Sequence, residues 1–140
     1  MMKKNWKRIA GILLAVLLIA ALTACESKPS NDVTFKNSLS SAIHSVYISP
    51  STDEDWTDPL NYAVLSKGSS ITIDFSKFAG NSPIYDIGVV DENAMNYDVY
   101  EIPLAIGDTL ILSGDANGAS LTVRGTDGKE VSYEAYIYEN

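Results

Sequence analysis

The chain of 140 residues contains one cysteine, Cys25, and one histidine, His44. A single cysteine excludes an intramolecular disulfide, and the paired Cys/His spacings of a structural zinc site are missing. So are Gly-x-Ser-x-Gly elbows, Ser-x-x-Lys pairs, His-Glu-x-x-His helices and glycine-rich phosphate loops. Cations are scarce: 10 Lys+Arg stand against 18 Asp+Glu, a net charge of −8. No basic patch exists to neutralise phosphates, which excludes nucleic acid as a partner. The longest uncharged apolar run, residues 9–22, covers about 14 residues, short of the ~20 that a permanent membrane-crossing helix needs.

What is present begins with that run. Lys3, Lys4, Lys7 and Arg8 precede it, and Leu22-Thr23-Ala24-Cys25 ends it. A basic front, a short apolar stretch and small residues before a cut are the marks of a removable export signal. An exported chain with one unpaired thiol needs an explanation. The leader resembles that of the bacterial lipoproteins on those four positions. That resemblance implies cleavage after residue 24 and an S-diacylglycerol on Cys25, with an N-acyl chain as an option. Two fatty (palmitate-type) tails anchor stably where one does not. The chain is therefore expected outside the cytoplasmic membrane, attached to it through covalent lipid, or to an outer membrane where the cell has one. Glu26 follows the cysteine, so the aspartate that marks inner-membrane retention is absent.

Without residues 1–24, 6 Lys+Arg face 18 Asp+Glu and the charge becomes −12. Residues 25–32 read as a lipidated terminus and polar tether, and 33–140 as one domain. Val, Ile, Thr and Tyr are abundant there, and turn residues recur about every ten positions. The pattern predicts strands over 33–37, 43–49, 70–75, 84–91, 97–103, 109–113, 120–124 and 131–138, with 60–65 reading equally as helix or strand. Seven to nine short strands imply an all-β antiparallel sandwich, with a small β-barrel as the alternative. Asp127-Gly128, between alternating strands, predicts a type I′ turn with both central residues at positive φ.

The unusual loop is 49–59, where Trp56 stands among Asp53, Glu54, Asp55 and Asp58. Calcium is the one cofactor such oxygens would suit, yet the EF-hand spacing fails, with Asp58 at its sixth position and Val64 at its twelfth. A second acidic group, Asp86, Asp91, Glu92 and Asp98, fails the same spacing. Trp56 either folds back over the core or offers a stacking surface to a sugar ring or a protein partner. In the last strand Val131, Tyr133, Ala135 and Ile137 share one face, predicted inward, and Tyr136 and Tyr138 the other. A further resemblance rests on Ile43, Tyr47-Ile48-Ser49, Trp56, Leu60, Leu65, Gly68, Tyr85-Asp86-Ile87 and Asp91, which is similar to small secreted bacterial β-domains of unknown function. The glycine such domains carry in the turn after Asp91 is replaced by Glu92, Asn93 and Ala94.

The expectation is a non-catalytic binding module, with Trp56, Asp86 and Asp91 at its interacting end and a glycan, an envelope protein or structural Ca²⁺ as ligand. The alternatives are a glycan- or cell-wall-acting hydrolase using two loop carboxylates, and an architectural subunit of an envelope complex.

Overall fold

In β1 (Asp32–Leu39) every second residue, Val33, Phe35, Asn37 and Leu39, is buried, and the residues between them are partly exposed. The pleat of an extended chain imposes that period of two. The further strands are β2 (Ile43–Pro50), β3 (Ser70–Asp74), β4 (Ile84–Asp91), β5 (Met95–Pro103), β6 (Thr109–Asp115), β7 (Gly118–Arg124), β8 (Glu130–Glu134) and β9 (Tyr136–Glu139). The alternation recurs in β6 and β7, whereas β5 buries Asn96 to Val99 in a row and β8 buries no residue. The computed structural model describes residues 31–78 and 83–140. The expected leader over 1–24, Cys25 and the tether as far as Ser30 lie outside the described residues.

The strands form two sheets, one five-stranded in the order β3-β1-β6-β7-β8, the other four-stranded in the order β2-β4-β5-β9. All pairings are antiparallel except β1 with β6, which run parallel from Thr34↔Thr109 to Leu39↔Gly114. Neither sheet closes into a barrel. The described residues form a nine-stranded β-sandwich. The inward residues of both sheets make one core, Phe35, Leu110, Leu112 and Leu121 from one layer with Val46, Ile48, Ile87, Tyr97 and Ile102 from the other. Asn37 is the polar exception in β1. Its amide donates to the carbonyls of Ser41 (3.0 Å) and Leu65 (2.9 Å), and its oxygen accepts the Leu39 N–H (2.9 Å), so the buried amide is satisfied.

Three predicted features differ in the structure. The last segment is two strands, because the chain leaves the five-stranded sheet at Ala135 and joins the four-stranded one. Ala135 is buried there, with its N–H on the Ala119 carbonyl at 3.0 Å. Tyr133 and Ile137 pack against the core as predicted, but Val131 is 54% exposed on β8, the outermost strand of its sheet. The β7–β8 turn is not type I′. Gly128 alone takes positive φ (81°), the Gly128 N–H bonds to the Gly125 carbonyl, and the Gly125 N–H to the Lys129 carbonyl. Asp127 instead accepts the Lys129 N–H on its side chain (3.0 Å), which stabilises a longer loop ending in a left-handed glycine.

Candidate functional site

The two outer faces of the sandwich differ in chemistry. Across the five-stranded sheet, the register Ser70-Lys36-Ile111-Thr122-Ser132 and the neighbouring Ser38-Ser113-Ser120-Glu134 expose mainly small polar side chains. Across the four-stranded sheet, the register is Tyr47-Gly88-Asp98-Tyr136, flanked by Ser49-Asp86 on one side and by Asn96-Tyr138 on the other. Here aromatic rings surround carboxylates.

Asp98 occupies the centre of that face and is only 4% exposed. The hydroxyls of Tyr138 (2.7 Å) and Tyr100 (2.9 Å) both donate to its Oδ2. The arrangement pushes both phenols up to about 12: for Tyr138 chiefly through the hydrogen bond to Asp98, for Tyr100 chiefly through burial, with Asp98 adding to it. With their hydroxyls tied down, the rings have little rotamer freedom left, and their outer surfaces are offered to solvent. Tyr100 also lies against Tyr136 at a centroid separation of 5.6 Å and 52° between planes.

Trp56 reaches the same face from the long β2–β3 connection. Its six-membered ring lies over Gly88, so close that a side chain there would start 3.1 Å from two ring carbons, and its centroid is 6.2 Å from that of Tyr47. The indole is 41% exposed and lies outside the core, so it does not cap the sandwich. The acidic loop that carries it is fastened along β2, one of the two edge strands of this sheet. Thr57 Oγ1 donates to the Ile48 carbonyl (3.1 Å), and the Leu60 N–H to the Val46 carbonyl (2.8 Å). Asn61 accepts the Val46 N–H and donates to the His44 carbonyl, both at 2.8 Å. The 60–65 segment is thus neither helix nor full strand. It supplies the partners that an edge strand lacks, closing with a bridge between Ile43 and Leu65.

Asp86 acts as a clamp beside Tyr100. Its Oδ1 accepts from Ser51 Oγ (2.6 Å) and from the Glu101 N–H (2.9 Å). The β4–β5 register shifts there, between Tyr85 and Ile87, and Glu101 sits at φ 58°, a left-handed conformation unusual for a side-chain-bearing residue. The bulge turns Tyr100 and Glu101 relative to a regular ladder, and the Asp86 carboxylate holds it.

Of the three predicted binding residues, the structure brings Trp56 and Asp86 to one face and separates Asp91 from them. Asp91 is on the inward side of β4, 2% exposed. Burial pushes its carboxyl up, but hydrogen bonds from Ser41 Oγ, the Met95 and Asn93 N–H groups and Tyr97 Oη outweigh that and hold it below the ordinary value. It closes the β4–β5 turn, in the place where a glycine had been expected nearby, and Ala94 takes the left-handed conformation instead (φ 62°). Sequence reasoning passed over Gly88 and Tyr100, and named Asp98 only within an acidic group and Tyr47 only within a strand pattern, neither as part of a binding face. Their signal was the outward parity of Asp86-Gly88 and Asp98-Tyr100 in two strands joined by a tight turn. Among the described residues, no three side chains gather as a metal cage, and Asp53, Glu54, Asp55 and Asp58 are exposed.

Comparison of the chain with protein-family models, with curated proteins and with solved structures finds no match.

Proposed function

We propose that this chain is a lipid-anchored, extracytoplasmic binding module that recognises a glycan of the cell envelope on the outer face of its four-stranded sheet. The carrying observation is the contrast between the two outer faces. One is small and polar, whereas the other holds Trp56, Tyr47, Tyr100, Tyr136 and Tyr138 around a buried carboxylate. Rings fixed by hydrogen bonds lose little side-chain entropy on binding, and large half-exposed aromatics are the usual anchors of a recognition surface. A sugar ring presents C–H faces to such a platform and hydroxyls to the carboxylates beside it. The lipid on Cys25 would hold that platform near the polymer it reads.

A glycan array tests the site. The parent protein is expected to retain envelope-type oligosaccharides, and Trp56→Ala to weaken that binding about tenfold or more, the loss of roughly one 1.4 kcal/mol contact. Identical array profiles for the two proteins would refute the platform. The anchor is tested separately. Cys25→Ser is expected to leave the membrane fraction, and its retention there would refute lipid attachment.

A further inference from the structure

The platform is also selective in charge. None of β2, β4, β5 and β9 contains a lysine or arginine, and the loop over residues 51–59 contains none either, whereas Asp86, Asp98, Glu101 and four loop acids cluster about the face. Among the described residues, the ion pairs Arg124–Glu130 and Lys129–Asp127 both belong to the β7–β8 hairpin of the other sheet. Among the described residues, the acids of the aromatic face therefore form no ion pair with a lysine or arginine.

Asp98 sharpens the point. A carboxylate largely covered by its neighbours is normally matched by a cation or by a full set of donors, because an unbalanced charge is costly to take out of water. Its two hydroxyl donors both fall on Oδ2. Oδ1 receives no hydrogen bond from the described residues, and lies 3.3 Å from where a Gly88 side chain would begin, beside the edge of the Trp56 ring. No buried side-chain oxygen among the described residues lacks a partner, so Oδ1 is the part of the carboxylate that reaches the surface. A half-satisfied anion thus sits next to an indole and within a ring of tyrosines. Aromatic faces attract cations within about 6 Å, and tryptophan does so most strongly. The attraction of the carboxylate and that of the rings have the same sign, and both repel an anionic ligand.

We infer that the ligand of this face is a glycan bearing free amino groups, of the glucosamine type, with an ammonium seated against Asp98 Oδ1 and the sugar rings on Trp56 and the tyrosines. This rests on the glycan reading above and adds charge selectivity to it. A basic peptide offers the same charge, but a peptide that recognises a sheet commonly adds itself as a strand to a free edge. The β2 edge is closed by Thr57, Leu60 and Asn61. The opposite edge, β9, is only four residues long, and the aromatic rings stand on the face of the sheet, where stacking suits sugar rings better than an extended backbone.

The test is calorimetric titration of the purified protein with a fully deacetylated glucosamine hexamer, its N-acetylated counterpart and oligolysine, at about pH 5.5, where amines are charged and carboxylates ionised. The deacetylated hexamer is expected to bind at least tenfold more tightly than the acetylated one, with affinity falling as salt rises from about 20 to about 300 mM. Asp98→Asn, checked for an unchanged melting transition, is expected to remove most of that preference. Equal and salt-insensitive binding of the two hexamers would overturn the charge selectivity and leave the glycan platform standing. Binding of oligolysine alone, or of none of the three, would overturn both. The comparison of hexamers decides the matter on the parent protein even if the variant does not fold.

Discussion

Gly88 shows how one missing side chain shapes the site. Its φ is not in the left-handed region, so the backbone would accept alanine, and the constraint is the close approach of Trp56 and Asp98 Oδ1. Gly114 is the opposite case: at φ 117° its side chain would run into the Gly118 carbonyl, so both backbone and space forbid one. Gly88→Ala is therefore expected to leave the fold intact at a cost of about 1 kcal/mol, a few degrees of melting temperature. The half-exposed indole should lift away, shifting its emission to the red and weakening glycan binding. Fluorescence and a melting curve on one sample check this, and an unshifted emission with full binding would contradict the packing. Nothing in the order of residues marked Gly88, since a lone glycine in a strand signals close approach without saying of what. Trp56 was recognisable as unusual among its acids, but which face it would cover depended on a loop path that carries no periodic pattern.

At the scale of elements, the β4–β5 bulge is where strain and recognition meet. Glu101 is held at φ 58° by pairing of its N–H with Asp86, and a left-handed residue with a Cβ costs on the order of 1 kcal/mol. In an ordinary strand valine is more favourable than glycine by up to about 1 kcal/mol. At position 101 the order should invert: Glu101→Gly is expected to match or exceed the parent in stability, and Glu101→Val to lose about 1–2 kcal/mol. Urea denaturation of the three proteins checks it, and a more stable valine variant would show that the bulge relaxes. Seven of the eight predicted strands exist as single strands and the eighth is divided between the two sheets, because alternation reports a buried face directly. The switch at Ala135 escaped notice for the same reason. Tyr133, Ala135 and Ile137 keep one parity while the chain changes sheets, and the inner sides of both sheets face the same core. Alternation also says nothing of a strand's partner, so the parallel β1–β6 pair was invisible. The sealing of β2 by Thr57, Leu60 and Asn61 was hidden too, being made of single hydrogen bonds from an irregular segment.

For the whole molecule, acidity that reads as a solubility device in composition becomes directional once folded, since the cation-free sheet carries the aromatic face. The same distribution governs the response to pH. Asp91 has a folded pKa below its ordinary value of 3.8, so its ionised form adds stability above that value, and this share is lost as pH falls through the lowered folded pKa. The alkaline side works through the phenols. Tyr97, raised to about 12 by burial and by Asp91, behaves like Tyr100 and Tyr138, raised to about 12 around Asp98. A group whose pKa is raised by folding favours the folded state fully below its unfolded value near 10, and that contribution drains away as pH climbs from 10 to 12. Stability from denaturant melts should thus be level between about pH 5 and about pH 9.5 and fall beyond either limit. Phenolate absorbance separates the causes: of the 8 tyrosines in the chain, at least Tyr97, Tyr100 and Tyr138 should still be protonated at about pH 11 in the folded protein, and burial raises Tyr85 in the same direction. Tyr138→Phe should reduce the loss of stability on the alkaline side while leaving the acid side, set at Asp91, unchanged. If all the phenols ionise together near pH 10 while the protein is still folded, the carboxylates of Asp91 and Asp98 are not where the hydroxyls point, and the acidic-aromatic face loses its organising group.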